Sequence, residues 1–336
     1  MVKRCYNCYN TTNNNINNPS SYTTINVATP LSATNTPNTG SNQENFLLDS
    51  FLYVNGRRYH NVPTASYCLP NDKQEIERLT LEHIIYRFIW HGNFSSPVDD
   101  VLKSSFAKND KAKVLDIGCG SGNWLLEMAE EYPNANFVGI DISPIFPNEY
   151  DSNKPTNVAF LKFDALSESG LPFPDDTFDF VYQKFMGLFI NEKKWMKHIE
   201  ELIRITKPGG WIEIMDIDPF PYDAGPILNC FLESMSELLL SKGINRKIVF
   251  DIPLLFNQKS ELITVHSQER PNPIGSWGGK MLKNVKLIVD SLKPYILPAS
   301  GLSEQEFHEM IKSIYDELNT NKTFYKSYRH FAQKQY

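Results

Sequence analysis

Residues 114–124 read VLDIGCGSGNW, and this stretch constrains the fold more than any other. Val114, Leu115 and Ile117 form a short apolar run around one acid, Asp116. Gly118, Gly120 and Gly122 follow at alternate positions, and then WLLEMA, with the pattern of a helix. A short apolar run bounded by glycines reads as a buried strand, followed by a tight turn and a helix N-terminus. The glycines allow φ > 0 and let a ligand approach the backbone closely. The open N–H groups of a helix N-terminus suit a polar or charged ligand. The spacing is informative. A dinucleotide site of the form G-x-G-x-x-G needs glycine at position 123, where Asn123 stands, and Asp116 would repel a pyrophosphate.

From residue 113 onward, predicted strands (113–117, 136–141, 158–163, 178–183, 210–217) alternate with helices near 123–131 and 192–206. That alternation implies a parallel sheet covered on both faces. Lys207-Pro208-Gly209-Gly210 reads as the turn into the fifth strand. Beyond it, helices are expected at 224–242, 246–257, 277–297 and 303–319, with strands at 261–268 and 324–333. Upstream, Asn55-Gly56 between apolar runs predicts a hairpin. Asp72 with Glu75 three residues later predicts a capping box on a helix running to about Trp90. Residues 1–44, rich in Asn, Thr and Ser, have too little apolar surface to offset their ordering entropy and are expected to be a disordered tail.

The chain of 336 residues carries a net charge of −6 and shows no basic block able to track a phosphate backbone, so nucleic acid is not expected as a partner. No apolar run is long enough to span a bilayer, and no membrane partner is expected. The N-terminus has no apolar signal core. Five scattered cysteines fit a reducing compartment, so an intracellular protein, cytoplasmic or nuclear, is expected. Cys5-x-x-Cys8 lacks a second ligand pair, and no metal is expected.

The ordered set of motifs resembles the class I S-adenosylmethionine-dependent methyltransferases, whose first motif is close to V-L-D-x-G-C-G-x-G. The resemblance covers about 60–333 and is strongest over 113–217. It implies an α/β fold with a Rossmann-like, mostly parallel seven-stranded sheet and helices on both faces. It also implies an N-terminal helical lid (45–92) ahead of the methyltransferase domain (93–336). Helical insertions on the acceptor side would follow the fifth and sixth strands, at about 218–260 and 270–320. The implied cofactor is S-adenosyl-L-methionine, held by Asp116, Gly118, Cys119, Gly120 and Gly122. Asp141, which ends the second strand, would bind the ribose diol, with Ile142 beside the adenine. Asp164 and Ala165 would meet the adenine edge, and Gln183 the methionine part. The patches 67–83, 139–147 and 273–282 are similar to the fungal LaeA-like branch, which would bring Tyr67 and His83 of the lid towards the cofactor.

Methyl transfer needs a base only for a nucleophile protonated at working pH, and no catalytic residue declares itself. QKFMGLF (183–189) lacks the motif of nucleobase amino-methylating enzymes and the paired glutamates of arginine methyltransferases. Met186, Phe189, Tyr222 and Trp277, with Phe220 and Phe231, are the candidates for an apolar acceptor wall. The leading expectation is methyl transfer to a small organic molecule, ahead of a protein side chain. The alternative is a methyltransferase-fold regulatory protein acting through protein partners.

Overall fold

The structure is a computed structural model that describes residues 51–62, 67–104, 111–148 and 150–336. The tail expected at 1–44 lies outside the described residues. A hairpin, β1 (Phe51–Val54) and β2 (Arg57–His60), turns at Asn55-Gly56 as the sequence suggests. It leads into α1 (Lys73–Trp90) and the short α2 (Asp99–Lys103). The core then runs β3 (Lys113–Ile117), α3 (Asn123–Glu131), β4 (Asn136–Asp141), β5 (Val158–Lys162), β6 (Phe178–Lys184), α4 (Trp195–Ile205) and β7 (Thr206–Ile217). It closes with α5 (Pro226–Ser241), α6 (Ile248–Asn257), β8 (Leu262–Pro273), α7 (Lys280–Ser300), α8 (Glu304–Thr320) and β9 (Phe324–Lys334).

The seven strands of the main sheet lie in the order β5-β4-β3-β6-β7-β9-β8. β3 to β7 are mutually parallel, and β9 runs antiparallel between β7 and β8. Side-chain alternation along each strand divides the core into two layers. Val114, Phe180, Tyr182 and Met215 meet α1, α3 and α5 on one face. Leu115, Ile117, Val181 and Ile214 meet α4 and α6 on the other. Trp124 of α3 stacks on Tyr182 with ring centroids 4.1 Å apart and planes 7° from parallel. The reversal of strand order between β3 and β6 opens a crevice at the carboxyl ends of the strands, where α/β sheets take ligands.

Four local expectations change. The Asp72 carboxylate accepts the Glu75 N–H at 3.1 Å, but the Glu75 carboxylate accepts from Arg78, so only half of the capping box forms. Residues 207–210 are a bulge inside β7 rather than a turn before it. Phe178 pairs with Thr206 and Phe180 with Trp211, which forces the intervening residues outward, with Gly209 at φ 78°. β8 continues through Pro271 and Pro273 because it is the edge strand, where a missing N–H costs no ladder bond. α7 runs past Pro294 and Pro298 and stops where Gly301 turns left-handed at φ 70°.

α1 is tied to the sheet at its C-terminal end. Trp90 Nε1 donates to Ser327 Oγ at 2.9 Å, and Tyr86 and Tyr325 share a hydroxyl hydrogen bond of 2.6 Å. Just beyond α1, the N–H groups of Ser95 and Ser96 donate to the buried Glu213 carboxylate at 2.8 and 2.7 Å.

Candidate functional site

The turn after β3 is built from left-handed glycines, with φ 70°, 55° and 78° at Gly118, Gly120 and Gly122. A β-carbon on Gly118 would lie 2.6 Å from the Met186 sulfur, and one on Gly122 would lie 2.6 Å from the Phe160 ring. At Gly120 the nearest atom would be Leu79 Cδ1 at 3.5 Å, an ordinary contact distance. The Gly118 and Cys119 N–H groups both donate to the Ile140 carbonyl, at 2.9 and 3.1 Å, which fixes the turn against β4.

Asp141 spans the crevice. Its Oδ2 accepts the Gly120 N–H and its Oδ1 the Ser143 N–H, both at 2.8 Å. Ser143 Oγ in turn accepts from Asn71 Nδ2 at 2.8 Å, which connects this loop to the segment ahead of α1. Each carboxylate oxygen keeps a free lone pair for a ligand hydroxyl. Burial raises the Asp141 pKa, against the two backbone N–H groups that lower it.

Asp116 is 3% exposed, and among the described residues no hydrogen bond to its carboxylate is made. Burial pushes its pKa up, while the Lys184 ammonium opposes the shift. Lys184 lies on the same sheet face as Tyr182, which pairs with Asp116 in register. Burial lowers the Lys184 pKa, and Glu82 and Asp116 act against that.

These groups line a cavity of about 700 Å³ that also takes in Tyr67, His83, Cys119, Ile142, Asp164, Ala165, Met186, Phe189, Phe220 and Phe231. Gln183 is not among them. Alternation sends it to the opposite face, where it is fully buried and its Oε1 meets His198 Nε2 at 2.6 Å. Lys184, one residue on, lines the cavity instead. Tyr222 and Trp277 are also absent from the wall. Tyr222 stacks on Phe324 at the surface, and Trp277 is 49% exposed in a 3-10 turn. Sequence reasoning also missed Asp216, at the end of β7. It is buried, accepts the Gly187 N–H at 2.7 Å, and has its pKa pushed up to about 7 by burial. The period-2 pattern of β6 carried a signal for Lys184; the roles of Asp216 and Asn71 depend on loop positions that no local pattern encodes.

Residues 114–210 match the family described as "Methyltransferase domain". Over that region the chain is similar to class I methyltransferases of the LaeA-like branch. It is 36% identical over 168 residues to methyltransferase pytC of Aspergillus terreus, covering 49% of this chain and 46% of that protein. It is 32% identical over 170 residues to the secondary metabolism regulator laeA of Aspergillus flavus, covering 50% and 42%. It is 29% identical over 174 residues to the protein-methionine methyltransferase laeA of Emericella nidulans, covering 51% and 41%. The matched region spans less than half the length of each of these relatives. S-adenosylmethionine is the cofactor that such a domain implies. The residues present suit it: a buried carboxyl at Asp116, and a second at Asp141 with spare lone pairs beside the glycine turn.

Proposed function

We propose that this protein transfers the methyl group of S-adenosylmethionine to a small organic molecule. The observation that carries the reading is the cavity of about 700 Å³, which runs without a wall from the Asp116–Asp141 end into a chamber between α5, α7 and α8. A site of this size and lining is typical of small-molecule ligands.

When bound, S-adenosylmethionine supplies an electrophilic methyl on a sulfonium. The residues of this chain do the rest. Asp141 accepts the ribose hydroxyls with its remaining lone pairs, and Asp116 accepts from the ammonium. Asp164, Ala165 and Ile142 line the cavity, where the first two would meet the adenine edge and Ile142 the ring face. Tyr67 packs on Phe189 with ring centroids 4.7 Å apart, narrowing the route from water to the reacting centre. Holding acceptor and methyl in line supplies much of the rate. Asp216, with its carboxyl pKa near 7, is the group best placed by charge to take a proton from the acceptor.

A second reading rests on the Emericella nidulans relative, whose name assigns it a protein methionine as acceptor. Here a protein side chain would enter the same chamber. The deciding experiment incubates the purified protein with methyl-labelled S-adenosylmethionine and two acceptor pools, a small-molecule extract and a protein extract. Label in the small-molecule fraction is the expected result. Label only in protein overturns the small-molecule reading. No label with either pool, while S-adenosylhomocysteine binds, favours a regulatory protein.

A further inference from the structure

The acceptor half of the cavity is walled by helix stripes. Leu228 and Met235 of α5, Val285 and Ile296 of α7, and Ile311 and Leu318 of α8 all face it. Within each helix the lining residues recur at three- and four-residue spacing, which is one helical face. These residues belong to one packed apolar cluster and also border the cavity. On α7 the face runs from Val285 to Ile296, eleven residues on. At 1.5 Å per residue that is roughly 16 Å, the length of an extended chain of about a dozen carbons. No charged side chain of α5, α7 or α8 lines the cavity. Charged groups lie elsewhere on the wall: Glu82 on α1, Asp116, Lys184 and Asp216 at strand ends, Lys194 ahead of α4 and Lys242 just after α5.

We infer that the acceptor is a linear amphiphile with an apolar chain and a neutral hydroxyl head, bound tail-first between α5, α7 and α8. The inference rests on the proposed methyl transfer to a small molecule and names its substrate class. The head is neutral because the strand-end cations are already matched by carboxyl groups. Lys184 faces Glu82 and Asp116, and the Arg78 guanidinium is held by Glu75 and Glu82 at 2.8 and 2.6 Å. A carboxylate head would find those cations engaged and would face the buried Asp216 carboxyl, whereas a hydroxyl can donate to the spare lone pairs of Asp216. A tail-first pose leaves the head beside the cofactor end, where a methyl is delivered.

The test is equilibrium binding of straight-chain primary alcohols, from six to sixteen carbons in pairs, to the full chain saturated with S-adenosylhomocysteine. Affinity is expected to rise about fourfold per added methylene and to level off near twelve carbons. The matching carboxylates should bind at least tenfold more weakly. Leu292 lines the chamber on the same face of α7: Leu292→Trp should move the plateau to shorter chains, and Leu292→Ala, which removes volume without overpacking, should move it to longer ones. A flat dependence on chain length, a plateau unmoved in a folded variant, or tighter binding of the carboxylates overturns the inference. So does displacement of the alcohols by a methionine-containing peptide at lower concentration than by a free alcohol. Failure of S-adenosylhomocysteine to bind at all would instead remove the methyltransferase reading beneath it.

Discussion

Asp141 shapes the site as well as offering itself to a ligand. Its two oxygens hold the Gly120 and Ser143 amides, so the glycine turn and the loop after β4 are set by one side chain. Asp141→Ala should therefore weaken S-adenosylhomocysteine binding by about 2 kcal/mol or more, roughly thirtyfold, by removing charge-assisted acceptors. Calorimetric titration checks this, and unchanged affinity would remove Asp141 from the cofactor site. Gln183 gives the opposite expectation. The sequence placed it beside the methionine part, yet its amide is sealed against His198 on the far face of the sheet. The burial that encloses this pair lowers the His198 pKa to about 4, so the ring is neutral and can donate to Gln183 at physiological pH. Gln183→Ala should cost about 2 kcal/mol of stability, through a lost hydrogen bond and a small cavity. It should leave the S-adenosylhomocysteine affinity within a factor of two. A large loss of affinity at unchanged melting temperature would reverse that assignment.

At the scale of elements, α1 joins the site to α7. Arg78, 3% exposed, pairs with Glu75 and Glu82 on its own helix and reaches Asn284 of α7 at 3.2 Å. Breaking a buried ion pair from one side leaves uncompensated charge and costs several kcal/mol. Arg78→Met should lower the midpoint of urea unfolding by the equivalent of about 3–5 kcal/mol. Adding Glu75→Gln and Glu82→Gln should recover much of the loss; no recovery would mean that Arg78 acts through packing alone. None of this network was legible from the sequence, because Arg78, Glu75 and Glu82 at helical spacing look like a solvated face. The sheet was legible for the opposite reason. β3 and β4 are apolar runs ended by a glycine and an acid, and β6 is an apolar run too, and such patterns are local. The ends of β7 and β8 were misjudged because a bulge and an edge position decide whether a proline or glycine breaks a strand, and both depend on neighbours. The same division holds in the site. Asp116, Asp141 and the glycine turn sit on one strand–turn–helix and its neighbour, whereas Tyr222 and Trp277 were aimed at the cavity by composition alone and face away from it. The α7 and α8 stripes were readable as amphipathic, but an apolar face does not say whether it meets a core or a chamber.

Across the whole molecule, the question is whether the segment ahead of β3 moves independently of the sheet. Its contacts argue against that. Glu213, fully buried in β7, takes the N–H groups of Ser95 and Ser96, and Arg329 of β9 donates to the Gly92 carbonyl at 2.9 Å. A carboxylate with these buried partners cannot be released without leaving charge desolvated. The C-terminal end of α1 is therefore part of the same folding unit as the central strands, and any opening of the cavity has to come from the residues before α1. There the links are lighter: the Asn71–Ser143 hydrogen bond and the Tyr67–Phe189 ring contact. Calorimetry of the full chain should show a single unfolding transition. S-adenosylhomocysteine at a hundred times its dissociation constant should add about 2.7 kcal/mol, which for a domain of this size raises the melting temperature by roughly 5–10 °C. Ligand should also slow proteolysis at 67–72 more than at 91–98, because Tyr67 and Asn71 of the first segment line the cavity. Two transitions, of which ligand shifts only the later, would show that α1 folds apart from the sheet and that the buried Glu213 contacts do not couple them.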